Sequence, residues 1–237
     1  MPILVSGHVF QIRTLSKEYQ HSCKATGLML WESALFLAEL LSKNSQIITS
    51  KSVLELGCGS VGICSIVAST VAELVVATDG DSNALALLSD NVNSNDDIIT
   101  RNTLKIELLE WGCIEHIEKV HRITSGRGFD VIIGSDVTYV AEAVPLLFAT
   151  AKALMAKPIL GKPNPLLILC HVERHVNEQF ILSSANNSGF TLDGKWPEEK
   201  DDIKNHAFTT FMASNFPYGL GESESFASVR TFCFKKI

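Results

Sequence analysis

The sequence predicts an α/β fold: a seven-stranded, mostly parallel sheet with helices on both faces and an antiparallel pair of strands at its C-terminal end. Three observations carry it. Short apolar runs alternate with amphipathic stretches as far as Cys170, a glycine-rich turn joins one such run to the helix behind it, and the last two apolar runs have no clear crossover helix between them. Strands joined by helices lie parallel, whereas strands without a helical crossover pair most easily as an antiparallel hairpin.

The elements follow in order. Val5 to Leu15 alternates and carries Val, Phe and Ile, which predicts a strand or hairpin arm (residues 1–24) ahead of a core spanning 25–237 in a single domain. Leu30, Ala34, Leu37, Ala38 and Leu41 recur at spacings of three and four, one face of a helix. Ser52–Leu56 is a short apolar strand, followed by Gly57-Cys-Gly-Ser-Val-Gly62 and a helix through about Ser69. Leu74–Thr78 is the next strand, ending at Asp79, and Ala84–Asn93 the next helix. Thr103–Leu109 is a third strand, after which a polar region runs to Gly126-Arg-Gly128. Phe129–Ile133 is a fourth strand, Ala141–Met155 a helix, and Pro165–Cys170 a fifth strand. Lys157 to Pro165, with three prolines and a glycine, reads as a connection. Asn177–Ser188 is helical, Gly189 stops it, and Phe190–Leu192 starts a strand. A polar excursion from Asp193 to His206 and a Gly/Ser-rich stretch, Tyr218–Ser225, separate it from the last strand, Ser228–Lys235.

With 237 residues, 46% hydrophobic and 19% charged, the chain has the material for a buried core and is not of a disordered type. A net charge of −6 counts against blanket binding of nucleic acid by the isolated domain, which needs concentrated Lys and Arg. The longest nearly uncharged stretch, Gly62–Thr78, falls short of the ~20 residues of a membrane span, so no membrane association is expected. Met1–Phe10 lacks the basic-then-apolar order of a secretion signal. Six cysteines without a C-x-x-C pair predict free thiols in a reducing compartment, cytoplasm or nucleus.

Gly57, Gly59 and Gly62 spell G-x-G-x-x-G between a strand and a helix, and Asp79 lies 22 residues beyond the first, a Rossmann-like arrangement. The glycines let backbone turn sharply and approach a ligand, and an acid at the tip of the second strand can accept hydrogen bonds from ribose hydroxyls. That chemistry fits a nicotinamide dinucleotide or S-adenosyl-L-methionine. Glu55 discriminates between them: a carboxylate two residues before the first glycine suits a cationic ligand and disfavours a pyrophosphate.

Glu55-Leu-Gly-Cys-Gly59, Thr78-Asp79, Asn91-Val-Asn93, Glu110-Trp-Gly112 and Gly134-Ser-Asp-Val-Thr-Tyr139 resemble the ordered motifs of the seven-β-strand methyltransferases, specifically the family-16 methyltransferase-like group with its protein lysine methyltransferases. The resemblance runs from about Thr26 to Tyr139. It implies S-adenosyl-L-methionine as cofactor. It further implies that Trp31 lies against the cofactor, that Gly57, Cys58 and Gly59 wrap its methionine part, that Asp79 holds the ribose, that Trp111 lies beside the adenine and that Ser135 meets the cofactor. Cys58 replaces an alanine common in the family. Asp136 and Tyr139 match the family's Asp-x-x-Tyr signature, which implies a carboxylate to receive the incoming amine and a ring to wall its channel. The segment after the fifth strand borders that channel in the family, which places Glu173 and Arg174 near substrate.

The expected function is an S-adenosyl-L-methionine-dependent N-methyltransferase acting on a lysine of a protein, with the monomer as the favoured form. A methyltransferase for RNA (tRNA) or a small molecule, a non-catalytic cofactor-binding scaffold and a nicotinamide dehydrogenase stay open as alternatives. His171 and His175, four apart, do not match a zinc peptidase and have no evident third ligand, so no metal is expected. The N-P-P-Y type signature of amino-methylating nucleic-acid enzymes is absent after the fourth strand. Asn215-Phe-Pro-Tyr218 is similar in letters but stands in the wrong place.

Overall fold

The computed structural model describes residues 1–15, 26–95, 99, 103–196 and 228–237. A two-stranded hairpin, β1 (Pro2–Val5) and β2 (His8–Gln11), precedes helix α1 (Glu32–Lys43). Then β3 (Ser52–Leu56), α2 (Ile63–Ser69), β4 (Leu74–Asp79), α3 (Ser82–Asn93), β5 (Leu104–Leu108), α4 (Ile114–Ile123), β6 (Val131–Ser135), α5 (Val144–Leu154), β7 (Leu166–Val172) and α6 (Glu178–Asn187) alternate. Strands β8 (Phe190–Trp196) and β9 (Val229–Lys236) finish the chain.

The main sheet has seven strands in the order β5-β4-β3-β6-β7-β9-β8, parallel except where β9 runs against both neighbours. The inner strands β3, β4, β6, β7 and β9 are buried on both faces, and their side chains alternate accordingly. Val53, Val75, Ile133 and Ile168 join the core under α1, α2 and the hairpin, whereas Leu54, Val76, Ile132 and Leu167 join the core under α5 and α6. Helix α3 packs Ala84, Leu85 and Leu88 by Ala77 at the β4 end of the first face. Strand order reverses between β3 and β6: β3 leads outward to β4 and β5, and β6 to β7 on the other side. A parallel sheet opens a crevice beyond the carboxyl ends of its strands at such a switch point, here at Leu56, Asp79 and Ser135.

Two features differ from the sequence reading. The polar region before Gly126 contains α4, whose Ile114, Ile117, Val120 and Ile123 recur every third residue among charged neighbours, a stripe the sequence reading passes over. Strand β8 continues through Asp193 to Trp196 instead of ending at Leu192, with a register shift at Leu192/Gly194. Trp196 explains the extension, because its ring stacks on Phe36 at 5.0 Å, and Lys195 adds an ion pair to Glu178 at 2.7 Å. As the sequence predicts, the terminal strands pair antiparallel at one edge of the sheet, with β8 outermost and β9 between β7 and β8. Phe232 and Phe234 are fully buried and clustered with Phe148, which requires cover that an edge strand lacks. Tyr218–Ser225 and Asn215–Tyr218 lie outside the described residues.

The hairpin's inner residues Ile3, Val5, Phe10 and Ile12 are buried in the first core. The segment after β2 has no strand beside it, and two asparagines of the α3 region substitute for one. Asn95 accepts from the Gln11 amide at 2.7 Å and donates to the Gln11 carbonyl at 2.9 Å. Asn91, fully buried, does the same for Arg13 at 2.7 and 2.9 Å and also donates to the Ser60 carbonyl at 2.8 Å. A carboxamide carries both donor and acceptor, so each side chain satisfies both main-chain polar groups of one residue.

Asn91→Ala leaves the Arg13 amide and two carbonyls unpaired, and is expected to lower stability in urea titrations by about 1–3 kcal/mol. Asp90→Ala removes only an exposed ion pair to Arg13 at 4.0 Å, and its urea midpoint should stay close to wild type.

Candidate functional site

A cavity of about 370 Å³ opens at the switch point. Glu173 and Arg174 are not among its lining residues, whereas the ten residues assigned to cofactor and acceptor line it: Trp31, Glu55, Gly57, Cys58, Gly59, Asp79, Trp111, Ser135, Asp136 and Tyr139. Elements far apart in the chain therefore deliver them to one place, from the start of α1, the ends of β3, β4 and β6, and the turn after β5.

The glycine loop needs its glycines. Gly57 and Gly59 have φ of +69° and +58°, a region L side chains rarely adopt. A Cβ on Gly57 would fall 2.6 Å from Val137 Cγ1, and one on Gly59 would fall 2.6 Å from the Gly27 carbonyl oxygen. That carbonyl accepts from the Ser60 amide at 2.7 Å, so the turn Thr26–Leu28 rests directly on the loop. Helix α1 then begins after Trp31, whose indole N–H donates to the Thr26 carbonyl at 3.1 Å.

Asp79 closes the loop from the other side. One carboxylate oxygen accepts from the Gly59 amide and the other from the Asp81 amide, both at 2.9 Å. Burial pushes its pKa up despite those two bonds. A carboxylate has about four lone-pair directions, so acceptor capacity is left for a diol in the cavity.

Glu55 is 1% exposed on the cavity floor, and it is already engaged: its Oε2 accepts from the Ser65 amide at 2.9 Å and from the Ser65 hydroxyl. Desolvation pushes it up to about 7, against the Ser65 bonds, and nearby Asp79 adds to the rise. The Cys58 thiol is pushed well up, first by burial and then by Glu55 and Asp79, so it is an uncharged lining atom and no nucleophile.

At the mouth, Asp136 has φ of +56°, and its amide donates to the Cys170 carbonyl of β7 at 2.8 Å. Its carboxylate accepts from Arg174 Nη2 at 2.7 Å. Burial raises its pKa, with Arg174 pulling the other way. The Tyr139 hydroxyl stands 3.1 Å from Thr26 Oγ1, with the ring half-open to solvent. His171 is buried against Phe232 at 5.7 Å and pushed down to about 4 by desolvation, so it is neutral near pH 7. Among the described residues no group of His, Cys, Asp and Glu could hold a metal ion, and no helix is long and apolar enough to cross a membrane.

A sequence profile described as lysine methyltransferase matches residues 13–187. The chain belongs to the lysine methyltransferase family. It is 32% identical over 172 residues to the protein-lysine N-methyltransferase EFM3 of Chaetomium thermophilum, covering 70% of this chain and 49% of that one. It is 28% identical to the protein N-lysine methyltransferase METTL21A of Danio rerio, covering 65% of this chain and 64% of the relative. The chain thus spans between about half and two thirds of these relatives. Among solved structures, a putative methyltransferase complexed with SAH, SMU.776, superposes with a TM-score of 0.64 at 14% identity, over 99% of this chain and 55% of that chain. Magnesium protoporphyrin IX methyltransferase from Synechocystis with bound SAM superposes at 0.54 and 14%, over 87% and 79%. These two share its fold.

Sequence reasoning missed the Thr26–Leu28 turn as the roof of this family member's cavity. Gly27 was the only signal, since a residue without a side chain is what a close backbone crossing calls for.

Glu55 supplies a pH test. With a folded pKa of about 7 against an ordinary 4.5, the folded state holds more protons across that window. Its contribution to stability is therefore greatest at low pH and declines as pH rises from about 4.5 to 7. Glu55→Gln should lose that component: the difference in thermal midpoint between variant and wild type should shift in the variant's favour from pH 5 to pH 8.

Proposed function

We propose that this chain is an S-adenosyl-L-methionine-dependent N-methyltransferase that modifies a lysine of a protein substrate. The observation that carries the reading is the single cavity in which side-chain-free backbone, an acid at the tip of β4 and an Asp/Tyr pair at the mouth converge. The residues fit the cofactor. The spaces where Gly57 and Gly59 would bear a Cβ are closed by Val137 and Gly27, so the loop presents bare backbone. Asp79 keeps acceptor capacity for ribose hydroxyls, and the indole of Trp111 stands beside Gly57. Glu55 and Asp136 give the cavity an acidic character suited to a sulfonium and an ammonium, and disfavour a pyrophosphate.

In this proposal Trp31, Glu55, Gly57, Cys58, Gly59, Asp79, Trp111 and Ser135 hold the cofactor, and Asp136 and Tyr139 receive the acceptor. The bound cofactor supplies an electrophilic methyl on sulfur. The chain's contribution is alignment: an amine held in line with that methyl reacts without paying the entropy of encounter. Asp136 orients the amine and accepts its hydrogen bond, and Tyr139 walls the entry. The printed names of EFM3 and METTL21A, both protein-lysine methyltransferases, support a protein acceptor over RNA or a small molecule. Buried free thiols at Cys58, Cys64, Cys170 and Cys233 support work in a reducing compartment, cytoplasm or nucleus.

The deciding experiment is label transfer from methyl-labelled cofactor into an extract, followed by peptide mapping. Label removed by protease and mapped to lysine supports the reading, and label removed by nuclease sinks it. In calorimetry, Asp79→Asn should weaken cofactor binding by about 10- to 100-fold, the loss of one or two charge-assisted hydrogen bonds. Undiminished transfer by Asp136→Ala would remove Asp136 from the acceptor site.

A further inference from the structure

A cation already stands on the carboxylate at the cavity mouth. Arg174, in the stretch between β7 and α6, donates from Nη2 to Asp136 Oδ2 at 2.7 Å. The same guanidinium lies over the Trp31 ring, with Cζ 4.6 Å from the ring centroid. A carboxylate on one side and an aromatic face on the other are the two partners that recognise an organic cation. The Asp136 side chain is 4% exposed and that of Arg174 33%. The acid is thus enclosed, and its counter-ion reaches it from the open side.

We propose that Arg174 occupies the place of the acceptor amine: its guanidinium stands in for the substrate's ammonium between Asp136 and Trp31, and it must swing outward before a lysine can enter. The inference rests on the methyltransferase reading only for the identity of the incoming cation.

The energetics favour such an exchange. An enclosed Asp136 left without a partner would be strongly disfavoured, so the site does not stand open with its acid bare. Arg174 reaches into solvent and regains hydration on leaving, so its departure costs little once another cation replaces it. The result is a site closed to neutral side chains and to solvent until a cation competes for it. The two Asp136 bonds to β7, from its amide to the Cys170 carbonyl and from the Val172 amide to its carboxylate at 3.5 Å, hold the acid in place during the swap.

The test uses the full chain and n-butylammonium, a mimic of a lysine side chain, followed by tryptophan fluorescence, with Trp31→Phe identifying the Trp31 part of the signal. Arg174→Ala should bind butylammonium about tenfold or more tightly than wild type, the factor expected if the arginine fills the site some nine-tenths of the time. The gain should vanish in Arg174→Ala/Asp136→Asn. Equal affinity in wild type and Arg174→Ala would overturn the proposal and leave Arg174 as a fixed brace for Asp136.

Arg174→Lys gives a second reading. A lysine in that place should become its own acceptor. Its neutral amine nitrogen forms a bond to the methyl carbon as the carbon–sulfur bond breaks, the electron pair stays on sulfur to give S-adenosylhomocysteine, and the amine proton passes to water. Mass spectrometry should find the methyl at position 174, and a cofactor-loaded variant that stays unmodified counts against the proposal. If calorimetry shows that wild type binds no S-adenosyl-L-methionine, the function proposed above fails, while the butylammonium titration still decides the occupant of Asp136.

Discussion

The contact on which the site depends is one between two stretches of bare backbone, Gly59 against Gly27. The Gly27 carbonyl accepts from Ser60 at 2.7 Å, at a distance that no Cβ on residue 59 would permit. Because of that crossing, the turn before α1 lies on the glycine loop and not above it, and Trp31 arrives at the cavity with its indole N–H tied back to Thr26. Asp79 holds the same loop from the β4 side through the Gly59 amide. Residue 59 is thus clamped between an acid and a backbone carbonyl that belong to opposite walls of the cavity.

Three acids of the cavity are settled by three different means. Asp79 is answered by backbone amides, Glu55 by Ser65, and Asp136 by Arg174. In each case burial still drives the pKa upward. The desolvation is therefore only partly compensated, and a cation entering this space gains from what the protein has left unbalanced. The partners differ in how easily they let go. Backbone amides and Ser65 are built into the loop and α2, whereas Arg174 is a long side chain with one end in water, so Asp136 is the acid whose partner can be exchanged.

Much of this was legible in the sequence, because the readable signals were local. The strand–glycine–helix pattern placed Gly57 and Gly59, the end of an apolar run placed Asp79 and Ser135, and the family's ordered motifs selected Trp31, Trp111, Asp136 and Tyr139. What stayed hidden is non-local or lacks a period. Helix α4 is the exception: Ile114, Ile117, Val120 and Ile123 carry a period that was there to be read, obscured only by the charged residues between them. The place of β9 between β7 and β8 goes with burial on both of its faces, Phe232 and Phe234 on one and Thr231 and Cys233 on the other, which alternation alone does not distinguish from an edge. The engagement of Glu55 by Ser65 joins residues ten apart across the loop, and no spacing rule announces it.

The N-terminal arm shows how far a site can extend beyond its lining. Its sequence reads as a peripheral hairpin, and none of β1 or β2 touches the cavity. Yet Asn91 holds the Arg13 peptide with one hand and the Ser60 carbonyl with the other, so arm and glycine loop share a single buried side chain. From Arg13 the chain runs on to Leu15, whose amide donates to the Leu28 carbonyl at 2.9 Å, next to the Gly27 crossing. The roof of the cavity is consequently held at both ends: by Ser60 on the loop and by an arm anchored to α3. Arm and Gly27 are thus joined through a continuous set of hydrogen bonds, beside the apolar packing of the hairpin on α1. That makes the hairpin a support of the cavity's geometry, despite its place at the edge of the fold.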